Sequence, residues 1–90
     1  MIEITAVRLD GGSAHEHIAE VLWEGTSSSG RASIQALIDW LRAGTENQAG
    51  VVNEKGRVPI RVVRPINAPA HVRAQADGTW TDDLLALPRF

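Results

Sequence analysis

Three groups of side chains in this chain are of types that do chemistry, and each falls short of a complete reactive set. His15-Glu16-His17 puts two imidazoles two positions apart around a carboxylate. On a strand that spacing turns both rings to one side, and Glu16 or Glu20 would add an oxygen donor of the kind zinc accepts. His15, however, reads as a loop residue, and a structural zinc takes four ligands in a chain without cysteine. Ordinary surface histidines at a strand start, and no metal, are the expectation.

The second group is Asp77, Asp82 and Asp83, three carboxylates within seven positions. Paired carboxylates act as acid and base when burial separates their pKa values, and with His71 they would form a hydrolytic set. Plainer duties are available: Asp77-Gly78 makes a turn, and Asp82 caps a short helical turn running to Leu87. No Gly-x-Ser-x-Gly elbow surrounds Ser27 to Ser29, and no glycine-rich stretch ends in the Lys-Ser/Thr of a phosphate loop. The chain therefore reads as non-enzymatic, with no cofactor.

Arginines form the third group. Arg57, Arg61 and Arg73 fall on the sheet face turned away from the helix, with Arg8 and Arg64 at strand ends. Guanidinium groups capture phosphate or carboxylate through two parallel bonds, so Arg61, Arg73 and Trp80 are the candidate ligand-binding residues for a small anion or nucleotide. Against this, Arg73 stands beside the tail and is well placed to bond its carbonyls or pair with Asp82 or Asp83. Trp23, Trp40 and Trp80 are three of only four aromatic residues. Thr79, Thr81 and Asp82 around Trp80 are not the basic neighbours of a base-stacking surface, so packing is expected for all three tryptophans, with Trp80 the first exception to look for.

The elements that must position these groups follow from periodicity. Met1 to Leu9 and Glu16 to Glu24 alternate as strands joined across the Asp10-Gly11-Gly12-Ser13 turn. Gly25 to Gly30 (GTSSSG) reads as a loop. Ile34, Leu37, Ile38 and Leu41 make one apolar stripe, predicting a helix over Ser33 to Ala43 with Ser33 as N-cap and Gly44 ending it in a left-handed conformation. Gly50 to Asn53 and Arg57 to Arg64 pair through Glu54-Lys55-Gly56, with Pro59 at an edge or facing outward. Ala70 to Ala76 is the last strand. The order β-β-α-β-β-β predicts an α+β domain: an antiparallel sheet of about five strands, one helix on one face, and on the other a tail bearing Leu84, Leu85 and Leu87.

Composition narrows the partners. Ninety residues make a single domain, 1–90, with a thin core. A net charge of -2 from 9 basic and 11 acidic residues lacks the basic surplus of a nucleic-acid module. No apolar run reaches the roughly 18–20 residues of a membrane span, and MIEITAVRL lacks a leader's apolar core. The expected setting is cytoplasmic, which the absence of cysteine fits. The expected partner is an unknown protein or a second copy pairing through an open strand edge beside Pro59.

Several short stretches belong together as a pattern: Val72-Arg73-Ala74, Asp77-Gly78, Asp82-Asp83-Leu84-Leu85 and Leu87-Pro88, with Ile4-Thr5-Ala6-Val7-Arg8-Leu9 and His17-Ile18 upstream. The chain resembles a family of short bacterial and phage domains of unknown function, whose C-terminal pattern runs aromatic-x-Arg-Thr, Asp-Gly, Asp-Asn-Leu-Leu-x-Leu-Pro. The match runs loosely over the whole chain and is specific at its end. Ala74 stands where the pattern has Thr, and Asp83 where it has Asn, so any anchoring through those side chains must differ here. The resemblance implies a fold and no activity.

Overall fold

The computed structural model describes residues 1–90, and every element the periodicity predicts is present with two more. In chain order these are β1 (Ile2–Leu9), β2 (Ile18–Glu24), β3 (Ser29–Ser33), α1 (Ile34–Ala43), β4 (Ala49–Asn53), β5 (Gly56–Val63), β6 (His71–Ala76) and β7 (Thr79–Thr81). A 3-10 turn at His15–His17 precedes β2, so the strand begins two residues later than Glu16. The fold is α+β, with seven strands rather than about five, in the order β3-β2-β1-β4-β5-β6-β7.

Both additional strands lie where the sequence carries no alternation to reveal them. β3 (SGRAS) holds one apolar side chain, Ala32, and is a strand because it pairs with β2 from Glu20↔Ser33 to Glu24↔Ser29. β7 is three residues long and exists because Asp77 (φ 50) and Gly78 (φ 80) both take the left-handed region that a two-residue hairpin turn demands. All pairings are antiparallel except β1 with β4, which run parallel through Ile2↔Ala49 and Glu3↔Gly50.

β5 is not an edge. Its first half pairs with β4, ending at Gly50↔Pro59, and its second half pairs with β6, starting at Ile60↔Ala74. Pro59, which has no N–H to give, stands at the switch between partners. The true edges are β3 and β7, so an open strand beside Pro59 is not available for pairing with another chain.

The helix starts as its sequence dictates: Ser33 Oγ accepts from the Ala36 N–H at 3.1 Å. It ends differently. Gly44 is extended (φ -170) rather than left-handed, and the Asn47 side-chain amide donates to the Trp40 carbonyl at 2.8 Å, serving a carbonyl of the last turn. Leu37 and Ile38 are buried, with Ile34, Trp40 and Leu41 partly so. No helix is long and apolar enough to cross a membrane.

Register sorts the side chains by face. Val21 opposite Ala32, and Trp23 opposite Gly30, look toward α1, while Glu20, Leu22 and Arg31 look away. The core is one contiguous cluster that includes Ile4, Val7, Val21, Val51, Ile60, Val72 and Leu84. The tail enters this cluster through Leu84, 1% exposed, and joins β1 by backbone bonds from Val7 N–H to Pro88 O (3.0 Å) and from Phe90 N–H to Val7 O (3.2 Å). Phe90 then lies under Arg31, 5.5 Å from its guanidinium, on the face turned away from α1.

Leu84→Ala should destabilise the domain by about 2–5 kcal/mol, the usual cost of emptying a buried leucine site. Urea unfolding reads this directly. A loss below about 1 kcal/mol would show that the tail contributes backbone pairing and little packing.

Candidate functional site

Two places gather side chains in ways that packing alone does not require. The first lies between α1 and the β2–β3 end of the sheet. Trp23 on β2 lies over Gly30 of β3, where an added Cβ would sit 3.1 Å from the indole, so the ring rests there because position 30 carries no side chain. Ala32 on β3 and Ala36 on α1 are small, and Trp40 closes the far side from the helix. The β2–β3 loop, drawn in by a Gly25 N–H to Ser28 O bond of 2.7 Å, brings Thr26, Ser27 and Ser28 to the mouth. The result is a cavity of about 440 Å³ with no Asp, Glu, Lys, Arg or His side chain in its lining. That volume is within the range of small-molecule pockets.

By sequence, Trp23 and Trp40 are packing residues and GTSSSG is a loop. Ser29 and Gly30 of that stretch instead open β3, paired with β2, and the space is formed by tryptophans 17 positions apart and by three small neighbours at 30, 32 and 36. Only the chain reversal at β3 brings them together.

The second place is on the opposite side of the sheet, where β6 presents His71 and Arg73. The 3-10 turn packs on β6, which brings His15 against this face. His15 is not a surface residue: its side chain is 8% exposed, because a turn rather than a strand carries it inward. His17 separates from it, its Nδ1 accepting the Ala14 N–H at 3.1 Å, so the two rings do not share a side. Glu20, the other proposed oxygen donor, is held by Arg31 and Arg8, with bonds of 2.8 Å and 2.7 Å. These bonds, Arg31 first, hold its carboxyl down to about 2. No group of three His, Asp or Glu side chains is placed to hold a metal ion.

Arg73 Nη2 donates to Asp82 Oδ1 at 3.1 Å, and its guanidinium lies 5.9 Å from the Trp80 ring centre. Asp82 Oδ1 also lies 3.9 Å from His15 Nε2. Three buried nitrogens in this cluster, His15 Nε2, His71 Nδ1 and Arg73 Nε, have no hydrogen-bond partner. Buried polar atoms are nearly always paired, so three together mark a place with unspent hydrogen-bonding capacity.

The structure thus brings Arg73 and Trp80 together and adds His15, which sequence patterning had no means of facing toward β6. Arg61 is the cross-strand partner of Arg73, but it is exposed and lines a smaller cleft with Leu41 and Thr45 at the end of α1. Asp83 does not join Asp82: its oxygens accept from the Thr81 hydroxyl (2.7 Å) and the Asn53 amide (3.2 Å). Asp82 does not cap the turn with its side chain, which accepts from Arg73; its backbone carbonyl makes the turn's own bond, accepting the Ala86 N–H at 3.1 Å.

With this geometry on hand, the comparison with known families is informative about kinship and silent on chemistry. The family described as protein of unknown function (DUF3892) matches residues 3–88. The chain belongs to that family. No curated protein and no solved structure matches it. The His15–Arg73 cluster lies within the matched span, as does the Trp23–Trp40 cavity apart from Met1 and Ile2 in its lining, and the family description assigns neither of them a role.

Burial lowers the pKa of His15 from its ordinary 6.5, with the Arg73 charge adding to the effect and Asp82 opposing it. His71 lowers it further and Glu16 raises it slightly. The unfolded chain therefore takes up this proton first as pH falls. The contribution of neutral His15 to stability is complete above 6.5 and declines as pH drops through 6.5 toward the lower folded value. Urea midpoints measured from pH 8 to pH 5 should fall across that window, and His15→Gln should flatten the decline. An unchanged slope in the variant would assign it to other groups.

Proposed function

We propose that this chain is a non-enzymatic binding domain whose ligand is a small uncharged molecule with a flat apolar part, held in the Trp23–Trp40 cavity. The observation that carries this reading is the lining itself: two indoles, Met1, Ile2, Leu37 and alanine-sized neighbours border about 440 Å³ without one charged side chain. Apolar pockets with a few polar groups at the rim are the usual form of small-molecule sites. Here Thr26, Ser27 and Ser28 supply hydroxyls at the mouth, suited to orient one polar substituent while the ring system lies between the tryptophans. The absence of a charged side chain from the lining favours an uncharged ligand over a charged one.

The remainder of the domain serves as a frame. Trp23 is fixed by pairing on both sides of β2, with Ile4 in β1 and Gly30 in β3, and Trp40 by the docked helix. A site built on paired strands and a capped helix loses little freedom on binding, which favours affinity for a small ligand.

Titration with a neutral fluorescent aromatic, N-phenyl-1-naphthylamine, tests the reading. Saturable quenching of tryptophan emission at one equivalent is expected, together with a rise in melting temperature. A ligand at 100 times its Kd adds about 2.7 kcal/mol. Ala36→Leu should reduce the affinity at least about tenfold by filling the cavity, and because position 36 is exposed on a helix that accepts leucine well, the fold should survive. Equal binding in the variant, confirmed folded by circular dichroism, would overturn the assignment.

A further inference from the structure

The cluster on the other face has the opposite chemistry, and it carries a separate inference. We propose that His15, His71 and Arg73 form a binding site for a small phosphate-type oxyanion, and that the Asp82 carboxylate of the same chain occupies it as a tethered competitor. Four observations support this. Three nitrogens of the cluster are buried without a hydrogen-bond partner. His15, which supplies one of them, is more than nine-tenths buried. The acid in contact with the cluster, Asp82, reaches Arg73 at 3.1 Å but stays 3.9 Å from His15 Nε2, so it satisfies the guanidinium and not the imidazole. Its side chain is also 78% exposed, outside any strand, so it can rotate away without disturbing the sheet.

Geometry explains the choice of ligand class. A planar carboxylate on a short side chain, with its backbone carbonyl already committed to the Ala86 N–H, offers too few oxygens in the required directions. A tetrahedral oxyanion presents oxygens along several directions at once and matches donors contributed by two imidazoles and a guanidinium. Each imidazole donates from the nitrogen in question when that nitrogen carries the hydrogen. Trp80, stacked beside Arg73, would form one wall once Asp82 has moved.

The site is distinct from the Trp23–Trp40 cavity in residues, face and charge, and the two readings stand or fall separately. It also gives the tail a conditional role. Asp82 begins the segment that leads to Leu84 and to the Pro88 and Phe90 bonds with β1, so displacing its carboxylate loosens the start of that segment without breaking its end.

The test compares the full chain with Asp82→Asn in titrations with inorganic phosphate, using sodium chloride at matched ionic strength as the control. Binding is followed by melting temperature and by amide chemical shifts at positions 15, 71, 73 and 80. Removing a tethered competitor should tighten phosphate binding by about tenfold. The shifts should move at those four positions and chloride should not reproduce them. In the Asp82→Asn background, His15→Gln and Arg73→Lys should each weaken phosphate binding severalfold. Arg73→Lys keeps the positive charge and stem while removing Nε, so the fold is retained for that comparison. Asp82→Asn that merely lowers the melting temperature, with no gain in phosphate binding, would show that Asp82 is a latch for the tail and overturn the proposal. Binding that tightens but is indifferent to both His15→Gln and Arg73→Lys would overturn it equally.

Discussion

The structure depends on how the second half of β1 satisfies its backbone. Val7 is fully buried, and β4 pairs with β1 only at Ile2 and Glu3 before the two strands part. A buried N–H and C=O left unpaired there would cost about 1–3 kcal/mol each, a large fraction of the stability of a small domain. The tail resolves this, with Pro88 accepting from Val7 and Phe90 donating to it. Because those bonds fix residues 88–90 beside β1, the preceding turn is held where Leu84 drops into the core and Leu85 and Leu87 pack on its margin. The sheet and the tail are therefore a single cooperative object. Neither the β1 backbone nor the leucines could be satisfied without the other.

The same crossing organises the charge on the outer face. Glu20 on β2 is gripped from both sides, by Arg8 on β1 and Arg31 on β3, and Arg31 in turn covers Phe90 at the end of the tail. The edge strand β3, which has little apolar content, is held in register by this charge bridge as well as by its backbone. Further along, Arg57 approaches Glu3 and Arg73 holds Asp82. Most of the arginines that looked like a binding surface are thus occupied by carboxylates. The outer face carries bridged charge rather than a continuous basic field, in keeping with the net charge of -2. The Arg73 cluster differs from its neighbours in holding three buried nitrogens that Asp82 does not bond.

The two candidate sites show how one thin domain keeps incompatible chemistries apart. Pleating sends successive side chains to opposite faces, so β3 gives Ala32 to the uncharged cavity and Arg31 to the charged face from adjacent positions. The same alternation lets β6 put Val72 and Ala74 in the core while His71 and Arg73 project outward.

The sequence by itself determined the elements whose signals are local. The apolar stripe at Ile34, Leu37, Ile38 and Leu41 with Ser33 before it required the helix and its cap, and Asp77-Gly78 required a tight turn. The alternation of β1, β2 and β5 required strands, because each of these depends on residues within a few positions. The strands β3 and β7 were invisible for the complementary reason: SGRAS and TWT carry no apolar period and take strand form from the partner beside them. The ending of α1 by Asn47, the interior place of β5 and the pairing of the tail with β1 are likewise set by distant partners. Of the sites, residue types were legible in Arg73 and Trp80, but not the burial of His15, nor the space between Trp23 and Trp40. Those were decided by tertiary structure alone, since a cavity and a buried imbalance of donors are properties of what surrounds a side chain, and the surroundings come from residues far along the chain.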